Sequence, residues 1–366
     1  GHNYHVNIDA SKLDFEQGGG LKIDPKDVIG SGSVAQVYKG TLTHNGVRKQ
    51  VAIKVLHPNI HKKVDRDLSL MRRVAQLIHS LPSETIRMMN LPKVCGNFAQ
   101  VMEFQIDLRK EAKNLHIFRD NFAVHVGSEN GKIPKVSFPR PILTDADCLI
   151  EDYEEALPIS AYLKDDSAQG VELRKKLAGP LLRSFLKMVF IDNFIHSDLH
   201  QGNILIRKSC VQTSKGKYED KYTIVFLDCG IVTSLNKEDK HNLKDLFKAV
   251  ITNNGAEAGR LMVERAKYER CSQVEGGIEQ FSKGVGEIVS EFHDRRKQGL
   301  TLGVVRIGSL LGSVLDLCRI HGVEIDPSMS NVVLSTLVLE GLGRCLDPDA
   351  NLFDIALPFV LGFGKV

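Results

Sequence analysis

Hydrophobic residues change their spacing once along this chain, near residue 155, and that change limits the architectures open to it. Before it, strand signals dominate. Val34 to Tyr38 alternates, and Val47 to Leu56 ends in the run Val51-Ala52-Ile53-Lys54-Val55. Asn45-Gly46 lies between them and is a strong hairpin-turn signal, so the two segments should pair antiparallel. After residue 155 the spacing is almost entirely helical. Leu181, Leu182, Phe185, Met188 and Val189 form a stripe that begins just after Gly179-Pro180. A chain of 366 residues exceeds what one core usually serves. The expectation is an α+β molecule of two lobes, a small antiparallel-sheet lobe with inserted helices and a larger helical lobe.

Two helices interrupt the first lobe. One runs from Ile60 to Ile78, with Val64, Leu68, Met71, Val74 and Leu77 on one face. The second, about Phe98 to Phe118, carries Phe104, Leu108, Ala112, Leu115 and Phe118. The next strand signal is Cys148-Leu149-Ile150-Glu151. In the helical half, the apolar runs Asn203 to Ile206 and Tyr222 to Leu227, joined by a polar loop from Lys208 to Lys221, read as a small hairpin. The division expected is a tail or cloning remnant at 1–24, a sheet lobe at 25–153 and a helical lobe at 154–366.

Charge and cysteine content exclude little. A formal net charge of +3 is too small to indicate nucleic acid as a partner, and none is expected. Seven cysteines without a Cys-x-x-Cys pair argue against a disulfide framework or a zinc ribbon. No run reaches the roughly 18 apolar residues of a membrane span. Gly1-His2, with Gly18-Gly19-Gly20 close behind, has neither a signal-peptide core nor an Arg-rich transit pattern.

The chemistry lies in four places. Gly30-Ser31-Gly32-Ser33-Val34-Ala35 is a loop of small residues before a strand, where backbone amides could close over phosphates. Lys54 sits in Val-Ala-Ile-Lys, the context of a lysine that contacts the α and β phosphates of ATP. His196-Ser197-Asp198-Leu199-His200-Gln201-Gly202-Asn203 carries the spacing Asp-x4-Asn, and Phe226-Leu227-Asp228-Cys229-Gly230 follows it. Phosphoryl transfer needs a carboxylate near the attacking hydroxyl and oxygen ligands for Mg²⁺. Asp198 suits the first task, and Asn203 with Asp228 the second. Glu111 is the candidate ion-pair partner of Lys54, with Glu103 as the alternative, and Glu151 joins the nucleotide-binding candidates. Only Ile231 to Leu235 separate Gly230 from a helix expected near Asn236, and no Ala-Pro-Glu follows. A peptide-binding activation segment has no room there, so a non-protein acceptor is expected.

Taken together these residues resemble the aarF-domain, or UbiB-type, atypical kinases from about Val28 to Pro358. Residues 30–37 resemble that family's alanine-rich nucleotide loop, and 196–203 its His-x-Asp-x-His-Pro-Gly-Asn. Leu339-Glu340-Gly341 with Leu346-Asp347-Pro348 is similar to its C-terminal signature. Asp107 to Ala112 and Glu154 to Ile159 look most like the animal mitochondrial members. The resemblance implies Lys54 on ATP, Glu111 as its partner, Asp198 in the catalytic position, and Asn203 with Asp228 on Mg²⁺. It also implies residence at the mitochondrial inner membrane and support of coenzyme Q and lipid metabolism. Implied partners are a lipid or quinone-pathway small molecule, a membrane surface and coenzyme Q biosynthesis proteins. Departures are plain. No Gly-Gln dipeptide occurs in this sequence, so the family's Lys-x-Gly-Gln segment either lies before it or is lacking, and Gln105 stands where relatives carry its acidic partner. Gly30 and Gly32 replace alanines, which would loosen the loop. Gln201 replaces a proline, and Cys229 replaces a phenylalanine beside a metal ligand. The competing reading is a nucleotide-gated scaffold that organises partner enzymes with little turnover.

Overall fold

The computed structural model describes residues 20–44, 46–81, 91–123, 135–212, 216–297, 307–325, 327–350 and 352–362. Most of the stretch read as a tail, and Asn45 of the expected turn, lie outside them. Strands in chain order are β1 Gly20–Ser31, β2 Ala35–His44, β3 Val47–Leu56, β4 Val136–Ser137, β5 Pro141–Thr144 and β6 Cys148–Asp152. They continue with β7 Leu157–Pro158, β8 Ile195–His196, β9 Ile204–Gln212, β10 Tyr218–Phe226 and β11 Val232–Thr233. Helices are α1 Ile60–His79, α2 Leu91–Gln105, α3 Leu108–Ala123, α4 Ile159–Leu163, α5 Ala168–Leu186 and α6 Lys237–Ile251. The last five are α7 Gly255–Glu264, α8 Gly277–Lys297, α9 Ile307–His321, α10 Pro327–Leu346 and α11 Leu352–Val360.

The chain divides into two compact units. The sheet unit comprises the described residues through Asp120, then Phe138–Glu155 and Asp228–Ile231. The helical unit takes Asn121–Ser137, Ala156–Leu227 and the remainder from Val232. Two segments thus differ from the contiguous lobes expected: 121–137 joins the helical unit, and 228–231 the sheet unit. β1 also starts at Gly20, inside the stretch read as a tail, because residues 20–23 pair with residues 40–43 of β2.

In the sheet unit five strands run in the order β1-β2-β3-β6-β5, antiparallel throughout. Alternation along β3 sends Val51 and Ile53 into a core with Tyr38, Leu42 and Ile150. Ala52 and Lys54 point to the other face. Gly40 packs closely beneath this core: a Cβ there would stand 2.5 Å from Ile53 Cδ1, which would have to shift, and 3.1 Å from Lys22 O. The single helix expected over 98–118 is two, broken at Ile106-Asp107. Asp107 accepts the Arg109 N–H at 3.2 Å and starts a new helix, so Phe104 is left 55% exposed while Leu108, Ala112, Leu115 and Phe118 are buried. In α1 the buried line is Ile60, Val64, Leu68 and Ala75, whereas Met71, Val74 and Leu77 of the expected face are exposed.

The helical unit holds a sheet ordered β4-β10-β9-β7, with β4 parallel to β10, and the two-stranded pair β11-β8. β9 and β10 pair without a break from Gln212↔Tyr218 to Ile204↔Phe226, so the expected polar loop is mostly strand. Its residues are polar because that end of the ribbon is solvated. α5 begins at Ala168, capped by Ser167, and Pro180 lies inside it rather than before it. Residues Lys187–Asp192 continue as a π-helical turn. Among the described residues no helix is long and apolar enough to cross a membrane.

Candidate functional site

Lys54 is held at both backbone edges, opposite Val37 of β2 and Leu149 of β6, so its Cα cannot drift. Glu151 lies opposite Ala52 on the same face of the sheet. α3 brings Glu111 to this face in its first turn, where a carboxylate is favoured by the helix dipole. The Lys54 ammonium donates to Glu111 Oε2 at 2.8 Å and Oε1 at 3.0 Å, and to Asp228 Oδ1 at 2.8 Å. Glu103, the alternative partner, instead lies 3.6 Å from Arg72.

Two carboxylates, Glu111 and Asp228, therefore hold one ammonium, and the Glu151 carboxyl lies on the same face. Burial disfavours the charge on Lys54, but Glu111 and Asp228 outweigh that and hold its pKa above the ordinary lysine range. Burial pushes Glu111 up, and the pull of Lys54 offsets this only in part. Glu151 is pushed up to about 8, first by burial and then by the Glu111 carboxylate. It therefore carries a proton near neutrality. The Asp228 side chain is 44% exposed. Its backbone adopts a left-handed conformation, φ 53°, uncommon outside glycine.

Asn114, one turn beyond Glu111, was not marked by the sequence. Its Nδ2 donates at 2.8 Å to the carbonyl of Cys229, the residue after Asp228. Cys229 is wholly buried, which raises its thiol pKa well above the ordinary value. His57 is a second residue that sequence reasoning passed over. Its Nε2 lies 3.0 Å from Gly32 O, and its N–H donates to Val34 O at 2.9 Å. The small-residue loop is further closed by the Gly32 N–H on Ala35 O at 2.9 Å. Gly30 and Ser31 pair with Val37 and Gln36, so that part of the segment is strand rather than free loop. Neither Gly30 nor Gly32 has a positive φ.

In the helical unit the loop around Asp198 is built on buried His196. The Asp198 N–H donates to His196 Nδ1 at 3.2 Å, which leaves Nε2–H to donate to Leu227 O at 2.9 Å. Asn203 is 8% exposed, and its amide donates to Asp198 O at 2.9 Å and more weakly to Asp198 Oδ2 at 3.4 Å. Its carbonyl oxygen is left for a cation. His200 Nε2 lies 3.8 Å from Asp198 Oδ2. The Leu227 N–H donates to Asn203 O at 2.9 Å, so the residue preceding Asp228 in the chain is anchored to the Asn203 backbone.

The short stretch after Gly230 is fixed in place. β11 pairs with β8 through Val232↔His196 and Thr233↔Ile195. Ser197 Oγ donates to Thr233 Oγ1 at 2.8 Å. Asn193, left-handed at φ 53°, exchanges two hydrogen bonds with the Leu235 backbone at 2.7 and 3.1 Å. Asn236 then caps α6 by accepting the Asp239 N–H at 2.7 Å. Glu340, of the C-terminal signature, is buried and accepts the Gly308 N–H at 2.9 Å, capping α9. That is a structural task.

The sheet unit thus carries Gly30 to Ala35, Lys54, Glu111, Glu151 and Asp228, and the helical unit carries Asp198 and Asn203. Residues 22–262 match the model of the ABC1 atypical kinase-like domain. A mitochondrial ABC1 family protein of Saccharomyces cerevisiae is 32% identical over 98% of this chain and 62% of its own length. A probable serine/threonine-protein kinase, abkC of Dictyostelium discoideum, is 28% identical over 92% and 54%. The probable protein kinase UbiB of Vibrio atlanticus is 27% identical over 96% and 60%. The chain therefore spans between about half and three-fifths of the length of these relatives. Among solved structures, the complex of Rv3197 with erythromycin from Mycobacterium tuberculosis matches with a TM-score of 0.56 at 15% identity. It covers 94% of this chain and 79% of that one, a likeness of fold. The motif order, the α+β fold and the domain match together place this chain in the ABC1, or UbiB, family of atypical kinases.

Proposed function

We propose that this chain binds Mg-ATP and transfers its γ-phosphoryl group to a small molecule, a lipid or water. What supports it most is the Lys54 ammonium, held at once by Glu111 and Asp228 at 2.8 Å. A lysine kept charged on a rigid strand neutralises phosphate oxygens at no cost of reorganisation. In this reading the small-residue segment 30–35 covers the phosphates, and Asp198 orients the attacking oxygen. Asp228 and the amide oxygen of Asn203 are each hard oxygen donors of the kind that would hold Mg²⁺, which would supply charge neutralisation to the phosphates. Among the described residues no group of three or more His, Cys, Asp or Glu could hold a metal alone.

The acceptor proposed is a lipid or quinone-pathway intermediate in the mitochondrion, at the inner membrane, in support of coenzyme Q metabolism. The short stretch between Gly230 and α6 argues against a bound peptide, and a yeast relative is named mitochondrial. The test is ADP release by purified protein, wild type against Asp198→Asn and Lys54→Met. A loss of about 10²-fold or more in both supports turnover. Equal rates in all three at the blank level would replace this reading with a nucleotide-binding scaffold.

A further inference from the structure

The helical unit contains a cavity of about 190 Å³ whose lining is predominantly apolar. Its floor is fully buried: Ala258, Val285 and Val289 are 0–1% exposed. α7 and α8 meet below it through Gly255 and Gly259, where a Cβ would fall 2.6 Å from Val289 and 2.7 Å from Ser282. At the other end Leu315 lines the cavity and is 41% exposed, so the space runs from core to solvent. An engineered apolar cavity of about 150 Å³ is enough to take up benzene. This one is at least as roomy and open at one end.

Several of its few polar wall groups are already engaged. Arg265 donates to Asp245 at 2.8 Å, and the Thr336 hydroxyl donates to Val332 O at 2.7 Å. A polar atom of a guest buried against the apolar wall of Ala258, Val285 and Val289 would lack a partner and lose affinity. The part that enters has to be hydrocarbon. A fully buried inner wall and an exposed Leu315 on the lining favour a flexible chain entering from the Leu315 side over a bulky ring system.

The wall has a further connection. Phe190 belongs to the π-helical turn and packs edge-on against Phe247 at 5.2 Å, and both line the cavity. The Phe194 N–H, two residues before His196, donates to Met188 O of the same turn at 3.0 Å. A guest that displaced the Phe190–Phe247 pair would press on the turn from which the Asp198 loop departs.

We propose that this cavity binds one uncharged hydrocarbon chain, inserted with its polar end at the Leu315 mouth. This does not rest on phosphoryl transfer, and its test uses no nucleotide. Titration calorimetry with 1-octanol should give one site on the full chain. Ala266→Leu and Val314→Phe, which fill the cavity from two sides, should each weaken binding at least tenfold. A photoactivatable alkyl-diazirine alcohol, used on the unaltered protein, should label residues 258–266 or 285–289. Wild-type affinity in a folded filling variant, no octanol uptake up to its solubility, or labelling only elsewhere would each overturn the proposal. The photolabel keeps the test decisive if both variants fail to fold.

Discussion

Asn114 and Cys229 are joined by a hydrogen bond of 2.8 Å from the Asn114 amide to the Cys229 carbonyl. Because Glu111 sits one turn earlier on the same helix, α3 grips Lys54 directly and the residue after Asp228 by its backbone. One helix therefore sets the positions of both carboxylates around the ammonium. Asn114→Ala should leave Cys229 O buried without this donor, at a cost of about 1–3 kcal/mol. The expected outcome is a Tm several degrees lower, with Mg-dependent ATP affinity reduced more than affinity for ATP without metal. Equal losses in both affinities would show that Asn114 serves stability alone.

Glu151 makes stability depend on pH. Its carboxyl is pushed up to about 8 in the folded chain, against roughly 4.3 when unfolded. The folded state binds the proton more tightly, so the stability it confers is full below about 4.3. It declines as pH rises and is gone once pH has passed about 8. Glu151→Gln removes the titration. In magnesium-free buffer without nucleotide, wild type should lose Tm relative to the variant between pH 5 and 8. Parallel Tm curves would refute this.

At Gly30 and Gly32 the backbone does not need glycine. A Cβ at Gly30 would sit 3.6 Å from Val37 Cβ, and at Gly32 3.7 Å from Ala35 O, both ordinary contacts. Gly30→Ala and Gly32→Ala should fold normally and gain up to about 1 kcal/mol by restricting the unfolded chain. Urea titration measures this. A loss above 1 kcal/mol at either site would mean that the segment must change shape to work.

Lys187 is buried with Asp192, 3% and 7% exposed, at 2.6 Å, and its ammonium also lies 4.6 Å from the centre of the Phe122 ring. Lys187→Ala would remove the cation that neutralises a buried carboxylate and should cost about 3–5 kcal/mol. The double change Lys187→Met, Asp192→Leu should cost markedly less. Denaturant unfolding of both variants checks the difference, and equal losses would argue that shape rather than charge is what the pair supplies.

Local pattern carried much of this molecule. Alternation and a turn dipeptide foretold the β2–β3 pairing, and a helical stripe foretold α1. What it missed has tertiary causes. An apolar stripe that continues through Phe104 and Leu108 cannot reveal that Asp107 stops one helix and starts another. Pro180 reads as a start because only the three-dimensional setting makes an interior proline tolerable. Polar strands such as the solvated ends of β9 and β10 lack the apolar residues that announce a strand. Motif spacing also singled out Lys54, Glu111, Asp198, Asn203 and Asp228, and the structure brings Lys54 to Glu111 and Asp228, and Asn203 to Asp198. Asn114 and His57 act on backbone atoms far away in sequence, so nothing near them hints at a partner.

The pairing of β11 with β8 leaves little slack beyond Gly230. Peptide bonds at Val232 and Thr233 are tied into a ladder, so a protease that needs an extended, unpaired backbone should spare this stretch while the helical unit stays folded.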